Sequence, residues 1–213
     1  NSDNVRVGEW VLAVGYPFAL NTTVTAGIVS AKGRQIGILD QGNSQNRDGE
    51  PQARTAIESF IQTDAAINRG NSGGALVNTK GELIGVNAAI ASQSGSYEGY
   101  GFAIPINLAK KVLNDFKEFG SVRRGYIGVN FTGLDAEQSK RLGVSEINGL
   151  YINEVILGSG AAQGGLKEGD IITKVDGIQI FSPSDLQERI GRLGPGDKVQ
   201  LTYLRGGKQL LTN

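Results

Sequence analysis

Cysteine is absent from the 213 residues. That excludes disulfides, thiolate zinc sites and cysteine nucleophiles among them, and it leaves the compartment open, because disulfide-free proteins occur everywhere. Histidine is absent as well. A serine nucleophile usually relies on a neighbouring imidazole as general base, so these residues cannot complete such a triad by themselves. An excess of charge is lacking too. Lys+Arg 21 against Asp+Glu 21 gives a formal net charge of zero, and nothing favours a nucleic-acid partner or an anionic membrane surface. No apolar run approaches the ~18 residues of a membrane span, so no integral membrane segment is expected. The chain does not open on a basic region followed by an apolar one, so any export signal would lie outside it. No cofactor and no metal site is expected.

Glycine, by contrast, occurs 32 times, about twice the usual share of ~7%. With short β-branched runs between the glycines, this favours a turn-rich β architecture. The chain is organised around Asn68-Arg69-Gly70-Asn71-Ser72-Gly73-Gly74, where one serine has glycines on both sides. Such a run can form a tight, strained turn that holds a hydroxyl outward while backbone N–H groups face a common point. A nucleophilic serine needs that geometry, with an exposed Oγ and donors aimed where an oxyanion will form. A surface loop is the plain alternative, since Gly, Asn and Ser dominate turns in general.

Strands are predicted over Val5–Val14, Val24–Ser30 and Thr55–Thr63, and over Ala75–Val77 paired with Leu83–Ile90 around a turn at Lys80-Gly81. A further short strand is read at Tyr100–Ile104. The segment from 35 to 54 lacks any apolar period and reads as a long exposed loop. Pro105 opens a helix with Asn107 as N-cap, Ile106, Ala109, Val112, Leu113 and Phe116 on one face, and Gly120 at its end. Many strands followed by one terminal helix suit a small β-barrel with a closing helix. Gly120–Arg124 is the expected boundary, giving domains 1–120 and 121–213. The second reads as a compact α+β unit of about five strands and two helices. Its strands are expected near 126–129, 149–155, 170–177 and 198–205, and its helical segments at 134–142, 159–166 and from Ser182. The two halves show no internal repeat.

Several long runs carry a resemblance. They are Gly15–Leu20, Val24–Ala31, Ile61–Asn68, Gly70–Leu76, Tyr100–Pro105 and Arg124–Val129. In this order they resemble the HtrA/Deg family of trypsin-like serine proteases. The first half is similar to the second barrel of the protease domain and the second half to the PDZ domain that follows it. The implied fold is mainly β: a trypsin-like second barrel with a C-terminal helix, then an α+β PDZ domain. Family members carry the catalytic His and Asp in a first barrel upstream, so the chain is expected to be a fragment without them and inactive alone.

The resemblance implies that Ser72 is the nucleophile and that the amides of Gly70 and Ser72 form the oxyanion hole. Asp64 is not taken as the acid partner; it is expected to satisfy backbone donors in its own loop. The S1 pocket is assigned to Ala66, Ile67, Ala89 and Ile90, with Ile67 and Ile90 alternatively plain core. An uncharged apolar pocket accepts Val, Ile, Ala or Leu and leaves Lys or Arg unpaired. Arg34 resembles the family's sensor, coupling PDZ or neighbouring-subunit contacts to the active-site loop, against a solvated surface arginine. In the PDZ half, Tyr126, Ile127, Gly128 and Val129 would receive a peptide's C-terminal carboxylate. Ile127, Val129, Leu186 and Ile190 would form the pocket for its last side chain, unless they serve only as core. The implied function is ATP-independent endoproteolysis of misfolded periplasmic or envelope proteins, regulated by PDZ binding of apolar C-termini, in a homotrimer or larger cage. The competing readings are a PDZ-based peptide sensor with no activity of its own and a half-barrel with a degenerate site. A barrel alone is also expected to expose an apolar face.

Overall fold

Strands build the first half of the chain, the first two of them alternating more buried with more exposed positions. The computed structural model describes residues 1–16, 21–38, 57–92, 97–134, 139–140 and 149–213. The chain divides into two compact units, Asn1–Val122 and Arg123–Asn213, and it is mainly β.

The first unit is a closed six-stranded barrel. Its strands are β1 (Trp10–Gly15), β2 (Thr23–Arg34), β3 (Phe60–Thr63), β4 (Ala75–Asn78), β5 (Leu83–Ile90) and β6 (Gly101–Pro105), ordered β1-β2-β3-β6-β5-β4. Every pair is antiparallel, and closure comes from β1 meeting β4 at Val11–Asn78, Leu12–Val77 and Ala13–Leu76. Closure leaves no free sheet edge among the described strands. Val11, Ala13, Val29, Ile61, Ala65, Ile67, Leu76, Ile84 and Ala103 fill the interior. On the other face of β1 and β2, Trp10, Leu12 and Val24 are exposed. The β4–β5 hairpin turns where Lys80-Gly81 predicts it. Gly81 has φ +77°, and the Asn78 side chain accepts from the amides of Lys80 and Glu82 at 3.0 and 2.9 Å.

The first strand starts later than its apolar run suggests, because Arg6–Gly8 form a turn and Gly8 donates to Val29 at 2.8 Å. The closing helix α1 runs Ile106–Phe119 and ends at Gly120 with φ +71°. Its start differs from the expected cap. Pro105 occupies the cap position without a side-chain bond. Asn107 instead receives help from the chain's first turn: its amide donates to Ser2 Oγ at 3.2 Å and its Nδ2 to Asn1 Oδ1 at 2.7 Å. The buried face also differs. Leu108 is buried against the barrel, whereas Leu113, Phe116 and Phe119 are exposed.

The second unit is one sheet in the order β12-β11-β9-β8-β7, with β10 paired to β9. Its strands are β7 (Val129–Gly133), β8 (Leu150–Val155), β9 (Ile171–Val175), β10 (Ile178–Gln179), β11 (Leu201–Arg205) and β12 (Lys208–Thr212). Helix α2 is the single turn Gly160–Gln163, and α3 spans Pro183–Gly191. The start of α3 carries a full capping box. Ser182 Oγ accepts from the Asp185 amide, and the Asp185 carboxylate accepts from the Ser182 amide. Leu150, Ile152, Ile172, Ile180, Leu186 and Leu201 lie in its core. Asp170, buried at the head of β9, accepts from Arg205 Nε and Nη2 at 2.7 Å each and from the Lys167 amide at 2.8 Å. That carboxylate raises the Arg205 pKa, its hydrogen bond outweighing the opposing cost of burial. Most of the helix expected at 134–142 and of the long loop after Arg34 lies outside the described residues; Ser139 and Lys140 are described and helical.

Candidate active site and peptide-binding loop

The serine turn joins β3 to β4 and is fixed from three sides. Asn71 donates its amide to Asn68 O at 2.9 Å, and the Gly74 amide donates back to Asn71 O at 2.9 Å. From β5, Asn87 takes the Gly73 amide on its carbonyl at 2.7 Å and donates its own amide to Gly74 O at 2.9 Å. From the end of β1, the Tyr16 amide donates to Gly70 O at 3.1 Å. Gly70 (φ +106°) and Gly73 (φ +86°) lie in the left-handed region that only glycine enters cheaply. Ser72 stands exposed between them, and its Oγ donates to Ala88 O at 3.3 Å. Among the described residues, the amides of Gly70 and Ser72 donate to no protein acceptor. The turn therefore presents one hydroxyl and two uncommitted N–H donors, the components an acyl-transfer site needs from this side of a substrate.

Two glycines permit this packing. A Cβ on Gly15 would lie 2.2 Å from Asn71 Oδ1 and 2.6 Å from Asn71 Cα, and one on Gly74 would lie 2.0 Å from Val14 O. Neither has a positive φ; here glycine is required for close approach rather than for conformation.

The residues assigned to S1 flank this turn. Ala66 and Ala89 are half-buried, as is Ile90. Ile67 is 1% exposed within the barrel core, against the bare Cα of Gly101. Asp64 is held differently from expectation: its Oδ1 accepts from the Ile28 amide on β2 at 2.6 Å, not from donors of its own loop. The Asp64 backbone carbonyl accepts from the Tyr97 hydroxyl. Burial, with the Asp64 charge nearby, pushes the Tyr97 pKa above the usual phenol range. Arg34 ends β2 beside Phe60 and is exposed, with Nε donating to Gln62 Oε1 at 3.0 Å. Nearby, the buried Glu58 carboxylate accepts from the amides of Ile36 and Gly37 at 2.7 and 2.6 Å, tying down the chain as it leaves β2.

In the second unit, Gly128 (φ +82°) turns the chain into β7, and a Cβ there would lie 2.1 Å from Ser159 Cβ. Carbonyls in the loop are taken: Ile127 O accepts from Ala161 at 2.8 Å and Gly128 O from Ile156 at 2.9 Å. Among the described residues the amides of Tyr126, Ile127 and Gly128 have no acceptor. A short nest of free N–H groups is a natural receptor for a carboxylate. The strand that follows, β7, is an edge of its sheet, and α3 packs against it. Ile127 is half-buried, Val129 is buried, and Leu186 and Ile190 belong to the core.

A trypsin-like peptidase domain matches residues 1–86 and a PDZ domain matches residues 125–213. The periplasmic pH-dependent serine endoprotease DegQ of Escherichia coli is 45% identical over 210 residues, covering 99% of this chain and 43% of that protein. The periplasmic serine endoprotease DegP of the same species is 45% identical over 213 residues, covering 100% of this chain and 42% of that protein. The solved structure of the HtrA-type protease AlgW with a tripeptide superposes with a TM-score of 0.62 at 41% identity, covering 100% of this chain and 65% of that one. The chain belongs to the HtrA/Deg family. It spans less than half the length of the curated HtrA/Deg relatives.

The HtrA/Deg runs in the sequence lead to the serine turn and the loop before β7. Asn71 and Thr25 lie within those runs and Asn87 outside them, and in none of the three does the run reveal the bonds its side chain makes beside the turn. Asn71 Nδ2 donates to Ala66 O at 3.3 Å, and Asn87 Nδ2 donates to Val14 O and Ala75 O at 3.2 and 3.3 Å. Thr25 Oγ1 also donates to Ala66 O, at 2.8 Å. The asparagines are each 1% exposed; the available signal was the amide of Asn87 inside the apolar run Leu83–Ile90, and Asn71 in its glycine run carried none.

Proposed function

We propose that this HtrA/Deg chain carries the nucleophile of an ATP-independent serine endopeptidase that degrades unfolded or misfolded proteins in the periplasm. Residues 1–120 form the C-terminal half of its protease domain and residues 121–213 its PDZ domain. The observation that carries the proposal is the exposed Ser72 on a turn whose Gly70 and Ser72 amides have no protein acceptor. Ser72 Oγ attacks the peptide carbonyl, its proton passing to a base. The carbonyl oxygen becomes the oxyanion held by the two amides. Collapse expels the amine and leaves an acyl-enzyme that water hydrolyses. With no histidine in these residues, the base comes from polypeptide outside them.

Ala66, Ala89 and Ile90 line the S1 pocket, with Ile67 beneath. No charge among them can pair with a basic side chain, so cleavage follows Val, Ile, Ala or Leu. Tyr126–Val129 receive the terminal carboxylate of an apolar peptide, whose last side chain rests over Ile127, Val129, Leu186 and Ile190. Arg34 relays peptide or neighbouring-subunit contact to the serine turn in an oligomer, trimer or larger. The test is digestion of unfolded casein by the full-length protein without ATP, with every cut mapped. Cuts after small and medium apolar residues are expected. Cuts mainly after Lys or Arg overturn the pocket assignment, and no cleavage with or without an activating peptide overturns the endopeptidase.

A further inference from the structure

The carbonyl of Ala66 is the meeting point of two side chains from separate parts of the barrel. Thr25 Oγ1 reaches it from β2 at 2.8 Å, and Asn71 Nδ2 reaches it from the serine turn at 3.3 Å. Asn71 is the residue immediately before Ser72, and Ala66 is part of the assigned pocket wall. One carbonyl thus ties the wall to the nucleophile turn. The arrangement has a cost that packing alone does not explain. Asn71 Oδ1 is buried with no partner among the described residues, pressed against the bare Cα of Gly15. A buried acceptor left unpaired is expensive, and an apolar side chain would remove the expense. An amide at this position therefore earns its place through the donor it supplies.

We propose that Asn71 and Thr25 are positioning residues that set Ser72 against the pocket wall through the shared Ala66 carbonyl. This rests on the reading of Ser72 as nucleophile. Neither side chain touches the reacting atoms. Asn71 fixes the peptide that leads into Ser72, and with it the direction of Oγ and of the Ser72 amide. Thr25 fixes the carbonyl that Asn71 grips. Loss of either donor frees the wall and the turn to shift separately, and misplacement of a reacting group by about 1 Å can cost about a hundredfold in rate.

The experiment uses the full-length protein and the variants Asn71→Ala, Thr25→Val and the double variant. A fluorophosphonate reports the rate of labelling at Ser72, and a peptide substrate separates kcat from KM. Far-UV circular dichroism and binding of a PDZ peptide confirm that each variant is folded. Thr25→Val keeps the side-chain shape and secures the test should Asn71→Ala fold poorly. Labelling and kcat should fall about tenfold or more in Asn71→Ala and by a smaller factor in Thr25→Val, with KM changed less than about twofold. The double variant should be less impaired than the product of the single losses, because both act through one carbonyl. Wild-type rates in the folded single variants overturn the proposal alone, as does a fully multiplicative double variant. Wild-type protein that is never labelled overturns the nucleophile reading and this proposal together.

Discussion

Replacing Gly74 by Ala tests how tightly the serine turn is wedged against β1. The new Cβ would lie 2.0 Å from Val14 O and 2.9 Å from Asn71 O, both backbone atoms. An ordinary carbon–oxygen contact needs more than an additional ångström. Val14 cannot easily yield, since β1 is paired with β2 up to Gly15 and with β4 at Ala13, and Asn87 Nδ2 holds the Val14 carbonyl. Relief must therefore displace either the turn or that hydrogen bond. Overpacking of a fitted site costs about 1–3 kcal/mol, and a hydrogen bond lost beside it about 1 kcal/mol, for a total of roughly 2–4 kcal/mol. For a unit of this size that lowers the thermal midpoint by roughly 10 °C. The assay is a circular dichroism melt of the full-length protein with fluorophosphonate labelling alongside. Gly73→Ala is the control: nothing lies within 4 Å of its Cβ, so only left-handed strain of about 1–2 kcal/mol applies. A Gly74→Ala protein that melts within about 2 °C of wild type and is labelled at the wild-type rate would refute the wedge.

Four further outcomes follow from the same geometry. Gly128→Val should abolish binding of a free-acid peptide to the second unit while Ser72 labelling persists, because the branched side chain meets Ser159 at a left-handed position; calorimetry against the peptide acid and amide checks this, and equal binding of acid and amide to the wild type removes the carboxylate reading. Asp170→Asn should destabilise the second unit by about 2 kcal/mol, since a buried carboxylate loses its charge-assisted bonds to a half-buried arginine; an unchanged denaturant midpoint contradicts it. Arg34→Ala should lower turnover and leave PDZ-peptide affinity intact, and unchanged turnover removes the relay role. Tyr97 should be a late titrator among the six tyrosines when ionisation is followed by ultraviolet absorbance. Its folded pKa is raised above the ordinary value of about 10, so the stability it supports is complete below that pH and is lost as pH rises through the raised value; Tyr97→Phe should remove that step.

Local pattern carried much of the architecture. The β4–β5 hairpin, the strand before α1 and the Ser182 start of α3 are legible because turn glycine, alternation and capping residues act within a few positions of one another. The serine turn is legible for the same reason, its glycines being adjacent in sequence. What could not be read depends on partners far along the chain. The start of α1 is served by Asn1 and Ser2, more than a hundred residues away, so Asn107 is not its cap. The apolar spacing of α1 places Leu113 and Phe116 on an apolar stripe, yet both are exposed while Leu108 and Asp115 are buried. Asp64 serves an amide on β2, and Glu58 serves two amides after β2, pairings fixed only when the barrel closes. Asn71, Asn87 and Thr25 escaped for the same reason: nothing in their local sequence says that their side chains meet backbone carbonyls deep beside the site.

The central claim is that Ser72 is the nucleophile, with its proton acceptor on polypeptide beyond these residues. Its most direct test is fluorophosphonate labelling of the full-length protein, followed by peptide mapping of the adduct. A single adduct on Ser72, absent after Ser72→Ala, is the predicted result. An adduct on a different serine, or undiminished labelling of the Ser72→Ala protein, would contradict it.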